Sequence, residues 1–209
     1  MNKINYQKEL DKIIEQNKRE DLVPSLLLHS CCAPCSSYTI EYLSNYFNIT
    51  ILYYNPNISP KSEYEKRKNE QLRLIGEMKT KYPVKFLDCD YDYNEFLDIA
   101  RGYEECPEGG ERCFRCYRLR LEKAAKLGRD LGFDCFCTTL SISPLKNSQK
   151  INEIGLELEK EYGIKWLKSD FKKREGYKRS IVLSKEYNLY RQNFCGCAYS
   201  KAQSVEKKE

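Results

Sequence analysis

The chain has 209 residues, 41% hydrophobic and 32% charged, which suits one domain with its own core. Mean hydropathy is -0.73 and no run of about 18 apolar residues occurs, which argues against a membrane span. The polar N-terminus lacks the apolar centre of a secretory signal, so we expect a cytoplasmic protein. The net charge of +5 permits nucleic-acid binding without requiring it.

Apolar spacing along the chain predicts strands that alternate with helices. The expected helices cover 3–20, 36–47, 59–82, 93–102, 111–132, 147–163 and 177–190, and the expected strands cover 24–30, 48–56, 84–90, 133–143 and 164–171. Ser59 is the expected cap of the third helix, and 201–209 is expected to be a frayed tail. The alternation predicts an α/β fold with a mostly parallel sheet, as a single domain over 1–209.

Eleven cysteines are the main anomaly of the composition. A reducing cytosol disfavours structural disulfides, so such chains more often bind metals or use thiols in catalysis. Three of the cysteines, Cys89, Cys135 and Cys137, fall in predicted strands and resemble small apolar core residues. The others fall into three groups, which are Cys31, Cys32 and Cys35; Cys106, Cys113 and Cys116; and Cys195 and Cys197.

The first two groups together contain a plausible set of metal ligands. Cys31 and Cys32 follow a buried strand, where open α/β sheets place their ligands. Cys113 and Cys116 form a C-x-x-C at a helix start, where the helix dipole favours thiolates. Four soft thiolates suit zinc or an iron–sulfur cluster, and the adjacent pair favours the cluster over a zinc knuckle. The alternative is a set of ordinary reduced thiols.

Two further features have more than one interpretation. The C-x-C pair Cys195 and Cys197 would form a strained, easily reduced disulfide, a second pair of metal ligands, or ordinary thiols. His29, the only histidine, is either a hydrogen-bonded core residue or a group that orients or protonates a substrate. The basic run 171–180 is either a solvated surface or a phosphate-binding patch.

Four motifs, "HSCCAPCS", "RCFRCYRLR", "TTLSISPLKN" and "FCGCAYS", occur in this order over residues 26–200. Together they resemble the QueH-type epoxyqueuosine reductases. The resemblance implies a Rossmann-like fold of the HUP class. It also implies a two-electron reduction that removes the epoxide oxygen of epoxyqueuosine, as water, at the wobble position of tRNA. An external electron donor and tRNA would be the partners.

The resemblance also assigns roles to individual residues. It implies that a 4Fe-4S cluster is bound by four cysteines, Cys31, Cys32, Cys113 and Cys116. It implies a redox-active disulfide between Cys195 and Cys197, whose thiol forms, like His29, are candidate catalytic proton donors. Cys35 would be a ligand of a second, mononuclear metal, for which iron is the expected identity.

Two other functions compete with this one. An ATP-dependent tRNA-modifying enzyme on the same fold would need a glycine-rich phosphate loop after the first strand, but "SCCAPCSS" contains no glycine. A zinc-stabilised RNA-binding module would contain zinc and no iron–sulfur absorbance.

Overall fold

Five strands pair side by side in one parallel sheet in the computed structural model, which describes residues 4–206. They are β1 (Ser25–His29), β2 (Asn48–Tyr53), β3 (Lys85–Asp88), β4 (Cys135–Thr138) and β5 (Lys165–Trp166). Their order across the sheet is β3-β2-β1-β4-β5, and every pair is parallel. The predicted α/β class, with a Rossmann-like parallel sheet in a single domain, is confirmed.

Helices connect the strands and cover the sheet. They are α1 (Tyr6–Arg19), α2 (Ala33–Leu43), α3 (Lys61–Glu77), α4 (Tyr93–Ala100), α5 (Glu111–Asp130), α6 (Ser148–Tyr162), α7 (Gly176–Glu186) and α8 (Ala198–Glu206), with a short 3₁₀ helix at Thr139–Ile142. Because parallel crossovers are right-handed and the strand order reverses at β1, α2 and α3 cover one face and α5 and α6 the other. No helix within residues 4–206 is long and apolar enough to cross a bilayer.

The core lies between these two helical layers. Leu26, Leu27 and Leu28 of β1 are fully buried, as expected for a continuous apolar strand with helices on both faces. At the sheet edge, Trp166 packs edge-to-face on Phe136, with ring centroids 5.0 Å apart. A Cβ on Gly155 of α6 would lie 2.2 Å from the Trp166 ring, so this close packing of α6 on β5 requires glycine.

Three local predictions differ from the structure. The predicted cap Ser59 is wrong, because Pro60 occupies the position before α3 and no side chain caps that helix. The expected frayed tail is helical as far as Glu206 in α8, and residues 207–209 lie outside the described residues, as does residue 3 of the first predicted helix. Strand β5 has only two residues, Lys165 and Trp166, which pair with Cys135 and Phe136 of β4, whereas the predicted strand covered 164–171.

The sheet topology creates one crevice. Strand β1 lies between β2 and β4. From β1 the chain continues to β2 on one side of the sheet, and from β4 it continues to β5 on the other side. Parallel α/β sheets bind ligands at such a switch point, beyond the carboxyl ends of the strands. The segments after β1 and β4 meet there and contain Cys31 and Thr139.

Candidate active site

Cys31 lies in the crevice at the switch point. The last residue of β1, His29, is in register with Thr138 of β4. The Cys31 backbone N–H donates to the Thr139 hydroxyl over 3.4 Å, and the Cys31 sulfur lies 3.6 Å from the same oxygen. The position that the sequence predicted for Cys31 and Cys32, just past the end of the first strand, is confirmed.

Cys31, Cys32 and Cys35 form a cluster that we call the β1 thiol group. The sulfurs of Cys31 and Cys32 are 3.8 Å apart, and all three sulfurs lie within 4.8 Å of one another. Cys32 immediately precedes α2 and Pro34 lies in its first turn, so the helix start brings Cys35 back toward Cys31. Thiolates around a tetrahedral ion are about 3.8 Å apart when the metal–sulfur bond is about 2.3 Å. This group could therefore hold a metal ion.

The hydrogen bonds among the three thiols shift their pKa values in opposite directions. Hydrogen bonds with Cys32 and Cys35, and then with Thr139, hold the pKa of Cys31 well below its usual range. The hydrogen bond with Cys31 raises the pKa of Cys32 to about 12. These opposite shifts favour negative charge on Cys31 over Cys32, at a helix N-terminus that also favours negative charge.

A second cluster, the α5 thiol group, consists of Cys113, Cys116, Cys195 and Cys197. These four cysteines line a small void of about 10 Å³. Cys113 lies in the first turn of α5, where its sulfur accepts a hydrogen bond of 3.3 Å from the Gly109 backbone N–H. Burial raises the pKa of Cys116 to about 11 and that of Cys197 to about 12.

A tight loop brings Cys195 and Cys197 to this void. Gly196 between them has φ of +119°, and its carbonyl accepts a hydrogen bond of 2.9 Å from the Ser59 backbone N–H. A Cβ on Gly196 would lie 2.9 Å from Ile58 Cγ1 and 3.0 Å from Arg67 Nη1. Only glycine fits this conformation and this space without strain.

Arg120 is a buried cation that is electrostatically coupled to both thiol groups. Its guanidinium donates to the Cys116 carbonyl over 3.2 Å and to Asn55 Oδ1 over 3.4 Å. Burial alone would lower the pKa of Arg120, but the charges of Cys116, Cys195 and Cys31 raise it above its usual value. Among the described side chains it has no carboxylate at ion-pair distance, so the thiols of the two groups are the titratable groups that act on it most strongly.

Lys146 is a second buried cation at the same place. Its ammonium donates to the Cys195 sulfur over 3.2 Å and to Glu108 Oε1 over 3.0 Å. Burial would lower the pKa of Lys146, whereas the charges of Cys195, Tyr117 and Glu108 raise it above its usual value.

These surroundings fit an anionic, thiolate-bound metal or cluster. Buried guanidinium N–H groups of Arg67, Arg112 and Arg120 have no hydrogen-bond partner among the described residues. Such groups are costly unless something accepts their hydrogen bonds. Soft thiolates beside unsatisfied buried cations are the donor set and the charge that such a cofactor needs.

An open groove of about 360 Å³ leads to the β1 thiol group. Its walls include Glu108, Lys146 and Cys195, so Cys195 lines both this groove and the small void. Two exposed apolar residues lie at the groove, Leu145 at 70% and Tyr177 at 36% exposure. The groove has the size of a small-molecule site.

Comparison with known proteins gives one consistent result. The family model "Epoxyqueuosine reductase QueH" matches residues 26–203. The chain belongs to the QueH family. The epoxyqueuosine reductase QueH of Streptococcus pyogenes serotype M1 is 46% identical over 207 residues, which cover 98% of this chain and 81% of that protein.

Two further QueH relatives show the range of similarity. The one from Staphylococcus epidermidis is 46% identical over 202 residues, which cover 95% of this chain and 85% of that protein. The one from Thermotoga maritima is 36% identical over 186 residues, which cover 88% of this chain and 93% of that protein. The resemblance inferred from the four motifs is confirmed.

The structure groups the predicted QueH ligands differently from the sequence. Cys35 is in contact with Cys31 and Cys32, and the pair Cys113 and Cys116 shares its void with the C-x-C pair. The predicted four-cysteine cluster set is thus divided between the two thiol groups, and it stays a prediction. All eleven cysteines are free thiols, and the redox-active disulfide between Cys195 and Cys197 also stays a prediction.

His29 has the environment of a hydrogen-bonded core residue. It is fully buried, with Nε2 3.0 Å from the Tyr54 carbonyl and Nδ1 2.8 Å from the Thr138 hydroxyl. The carbonyl can only accept, so Nε2 carries the proton and Nδ1 accepts from Thr138. Burial, and then the charge of Arg120, lower the pKa of His29 to about 4. Its role as a proton donor stays a prediction.

The remaining cysteines lie outside both thiol groups. Cys135 and Cys137 are buried in β4, as predicted, whereas Cys89 is half-buried just after β3. Cys106 lines neither the groove nor the void.

Sequence reasoning missed the polar residues that surround the thiols. Arg120 lies one helical turn after Cys116 in "RCFRCYRLR", and Thr139 and Lys146 lie in "TTLSISPLKN". Their position inside the motifs was the sequence signal that could have identified them as site residues. Four of the five cations in the run 171–180 pair with carboxylates, and these are Lys172, Arg174, Lys178 and Arg179.

Proposed function

We propose that the protein is an epoxyqueuosine reductase that converts epoxyqueuosine to queuosine at the wobble position of tRNA. Two electrons and two protons remove the epoxide oxygen as water and leave a carbon–carbon double bond. The observation that carries the proposal is the meeting of two thiol groups around buried cations, at the switch point of a chain that belongs to the QueH family. A tRNA substrate makes the cytoplasm the expected site of action.

The proposed electron-transfer cofactor is a 4Fe-4S cluster. Its ligands would be Cys31, Cys32, Cys113 and Cys116, and Cys35 would bind a second, mononuclear metal, with iron as the expected ion. Such a cluster supplies electrons one at a time, at a potential tuned by nearby charges and hydrogen bonds. The buried cations Arg120 and Lys146, and the unpartnered N–H groups of Arg67 and Arg112, support an anionic occupant.

The residues of the chain would bind the substrate and manage charge and protons. The groove beside the β1 thiol group would take the modified base. Fixed cations at its wall stabilise an oxyanion as the epoxide opens, because they need no reorganisation. Cys195 lines this groove, so its thiol is a candidate proton donor, and with Cys197 it would store two electrons as a dithiol. His29 is the alternative donor.

The proposed partner is the anticodon loop of tRNA carrying epoxyqueuosine. Proteins read single-stranded RNA by stacking unpaired bases on aromatic side chains. Tyr177 lies at the groove with 36% of its surface exposed. Arg191 also lines the groove and has no carboxylate at ion-pair distance in the described part of the chain, so it is available for a phosphate. An external electron donor completes the reaction.

The test is anaerobic purification with iron and sulfide quantitation, followed by incubation with epoxyqueuosine tRNA and dithionite. We expect iron and sulfide in the protein and conversion of epoxyqueuosine to queuosine, measured by mass analysis of the tRNA nucleosides. Zinc without sulfide, together with unconverted nucleoside, would contradict the proposal and favour the RNA-binding module.

A further inference from the structure

The two cysteines of the C-x-C pair have unequal surroundings. Cys195 is half-buried and lines both the groove of about 360 Å³ and the small void of about 10 Å³. Cys197 is 7% exposed and, of these two cavities, lines only the small void. A reactant that arrives through the groove therefore meets the sulfur of Cys195 first.

The polar contacts of the pair differ in the same direction. The Cys195 sulfur accepts a hydrogen bond of 3.2 Å from the buried ammonium of Lys146, a charged donor that holds the sulfur at the groove wall. The Cys197 sulfur accepts only a backbone hydrogen bond, of 3.3 Å, from the Ser200 N–H within the described residues. Thiol–disulfide exchange needs access to the attacked sulfur, and of the pair only Cys195 lines the groove and contacts a cation.

We infer that Cys195 is the entry thiol for a small dithiol or dithiol protein that reduces the C-x-C pair, and that Lys146 positions and stabilises it. This inference rests on the proposed redox role of Cys195 and Cys197. The donor is defined only by its chemistry, two thiols that can form a disulfide with each other.

The exchange balances in two steps. One thiolate of the donor attacks the Cys195 sulfur, the Cys195–Cys197 bond breaks, and Cys197 leaves and takes up a proton. The second donor thiolate then attacks the donor sulfur of the mixed disulfide and expels Cys195 as a thiolate beside Lys146. The donor is oxidised to a disulfide, and the Cys195 thiolate takes up the second proton that the donor released, so the protein gains two electrons and two protons, as many as the epoxide reduction consumes.

The shared groove adds a kinetic consequence. The same groove leads to Cys195 and to the β1 thiol group, so donor and tRNA occupy it in turn. Reduction must then be complete before the tRNA binds. Steady-state rates with varied dithiol and varied tRNA should give parallel double-reciprocal lines, and intersecting lines would overturn the shared entry.

The direct test uses oxidised glutathione as the probe, on the anaerobically purified holoprotein. In Cys197→Ser, attack by Cys195 breaks the glutathione disulfide, releases glutathione and leaves a mixed disulfide, which peptide mass mapping locates. We expect Cys195 in this variant to react at least about tenfold faster than Cys197 does in Cys195→Ser. Equal rates, or a faster Cys197, would overturn the assignment.

Lys146 is tested by two substitutions with opposite expected effects, each in the Cys197→Ser background. Lys146→Met should slow the reaction about tenfold, and Lys146→Arg should restore much of it. Glu108→Gln removes the carboxylate that shares the Lys146 ammonium and should speed the reaction. If Lys146→Met and Glu108→Gln shift the rate in the same direction, Lys146 has only a structural role.

The two proposals fail in different ways. Unconverted epoxyqueuosine with dithionite, together with selective labelling of Cys195, would refute the proposed reaction and leave the thiol order intact. Conversion with dithionite, together with equal labelling of Cys195 and Cys197, would support the proposed reaction and refute the assignment of Cys195 as the entry thiol.

Discussion

The two thiol groups reach the same end of the sheet by different routes. The β1 thiol group comes from five consecutive positions, 31–35, around the start of α2. The α5 thiol group joins two cysteines of α5 to two that lie about eighty residues later in the chain. The first group lines a groove of about 360 Å³, and the second lines a small void of about 10 Å³.

This difference shows what each group depends on. A local turn holds the β1 thiol group, so it should survive damage to distant parts of the chain. The α5 thiol group exists only when the C-terminal loop packs against α5, with Gly196 as its tight point. Arg120 interacts electrostatically with cysteines of both groups, whereas Lys146 interacts with cysteines of the α5 thiol group, so a change to Arg120 should affect both groups.

The largest expected effect comes from removing a proposed cluster ligand of the α5 thiol group. Cys113→Ala should abolish iron–sulfur absorbance and epoxyqueuosine reduction together, because the cluster would lose one of four ligands. Cys137→Ala is the matched control, because Cys137 is a buried strand thiol that donates a hydrogen bond to the Leu167 carbonyl. It should keep both properties and lose about 1 kcal/mol of stability. Reduction by a cluster-free Cys113→Ala protein would refute the assignment.

A backbone change should separate the two groups. Gly196→Ala places a Cβ at φ +119° and 2.9 Å from Ile58, at a cost of about 3 kcal/mol. We expect the loop of Cys195 and Cys197 to be displaced, while the apoprotein still gives Co²⁺–thiolate absorbance from the β1 thiol group. Gly76→Ala in α3 meets no atom within 4 Å and should be stabilising by about 0.5–1 kcal/mol. Loss of Co²⁺ binding in Gly196→Ala would show that the groups are not independent.

Arg120→Met tests the coupling between the groups. Loss of a buried positive charge should lower the reduction potential of the bound cofactor. The corresponding change in interaction free energy is roughly 2 kcal/mol for charges about 8 Å apart at an effective dielectric constant of 20. Redox titration of the purified protein measures this shift. Met matches the buried methylene chain of the Arg120 side chain. The control is Arg118→Met, because Arg118 is exposed and pairs with Glu157 and Glu161. An unchanged potential in Arg120→Met would place Arg120 outside the electrostatic reach of the cofactor.

The smallest expected effect concerns Tyr177, which lines the groove beside the β1 thiol group. Tyr177→Ala should raise KM for the tRNA about tenfold with little change in kcat, since one base–aromatic stack contributes roughly 1–3 kcal/mol. Tyr177→Phe keeps the ring and should behave as the unmodified protein. Equal KM values for the Ala and Phe variants would exclude stacking at this residue.

The sequence by itself determined the fold class and most of the thiol chemistry. Continuous apolar runs such as Leu26–Leu28 mark strands buried on both faces, and alternation with helical periods leaves a parallel sheet as the compatible arrangement. Short-range geometry also follows from spacing, which is why Cys31 and Cys32 were placed correctly past β1. The four motifs together were enough to indicate the QueH family.

Only the tertiary structure decided which thiols are neighbours and what surrounds them. Cys35 joins Cys31 through the first turn of α2, and Cys195 meets Lys146 through contacts between segments 49 residues apart. Spacing carries no information on such long-range contacts or on burial. A buried charge such as Arg120 looks like any surface arginine until packing removes water from it and leaves the Cys116 carbonyl and Asn55 as its hydrogen-bond partners.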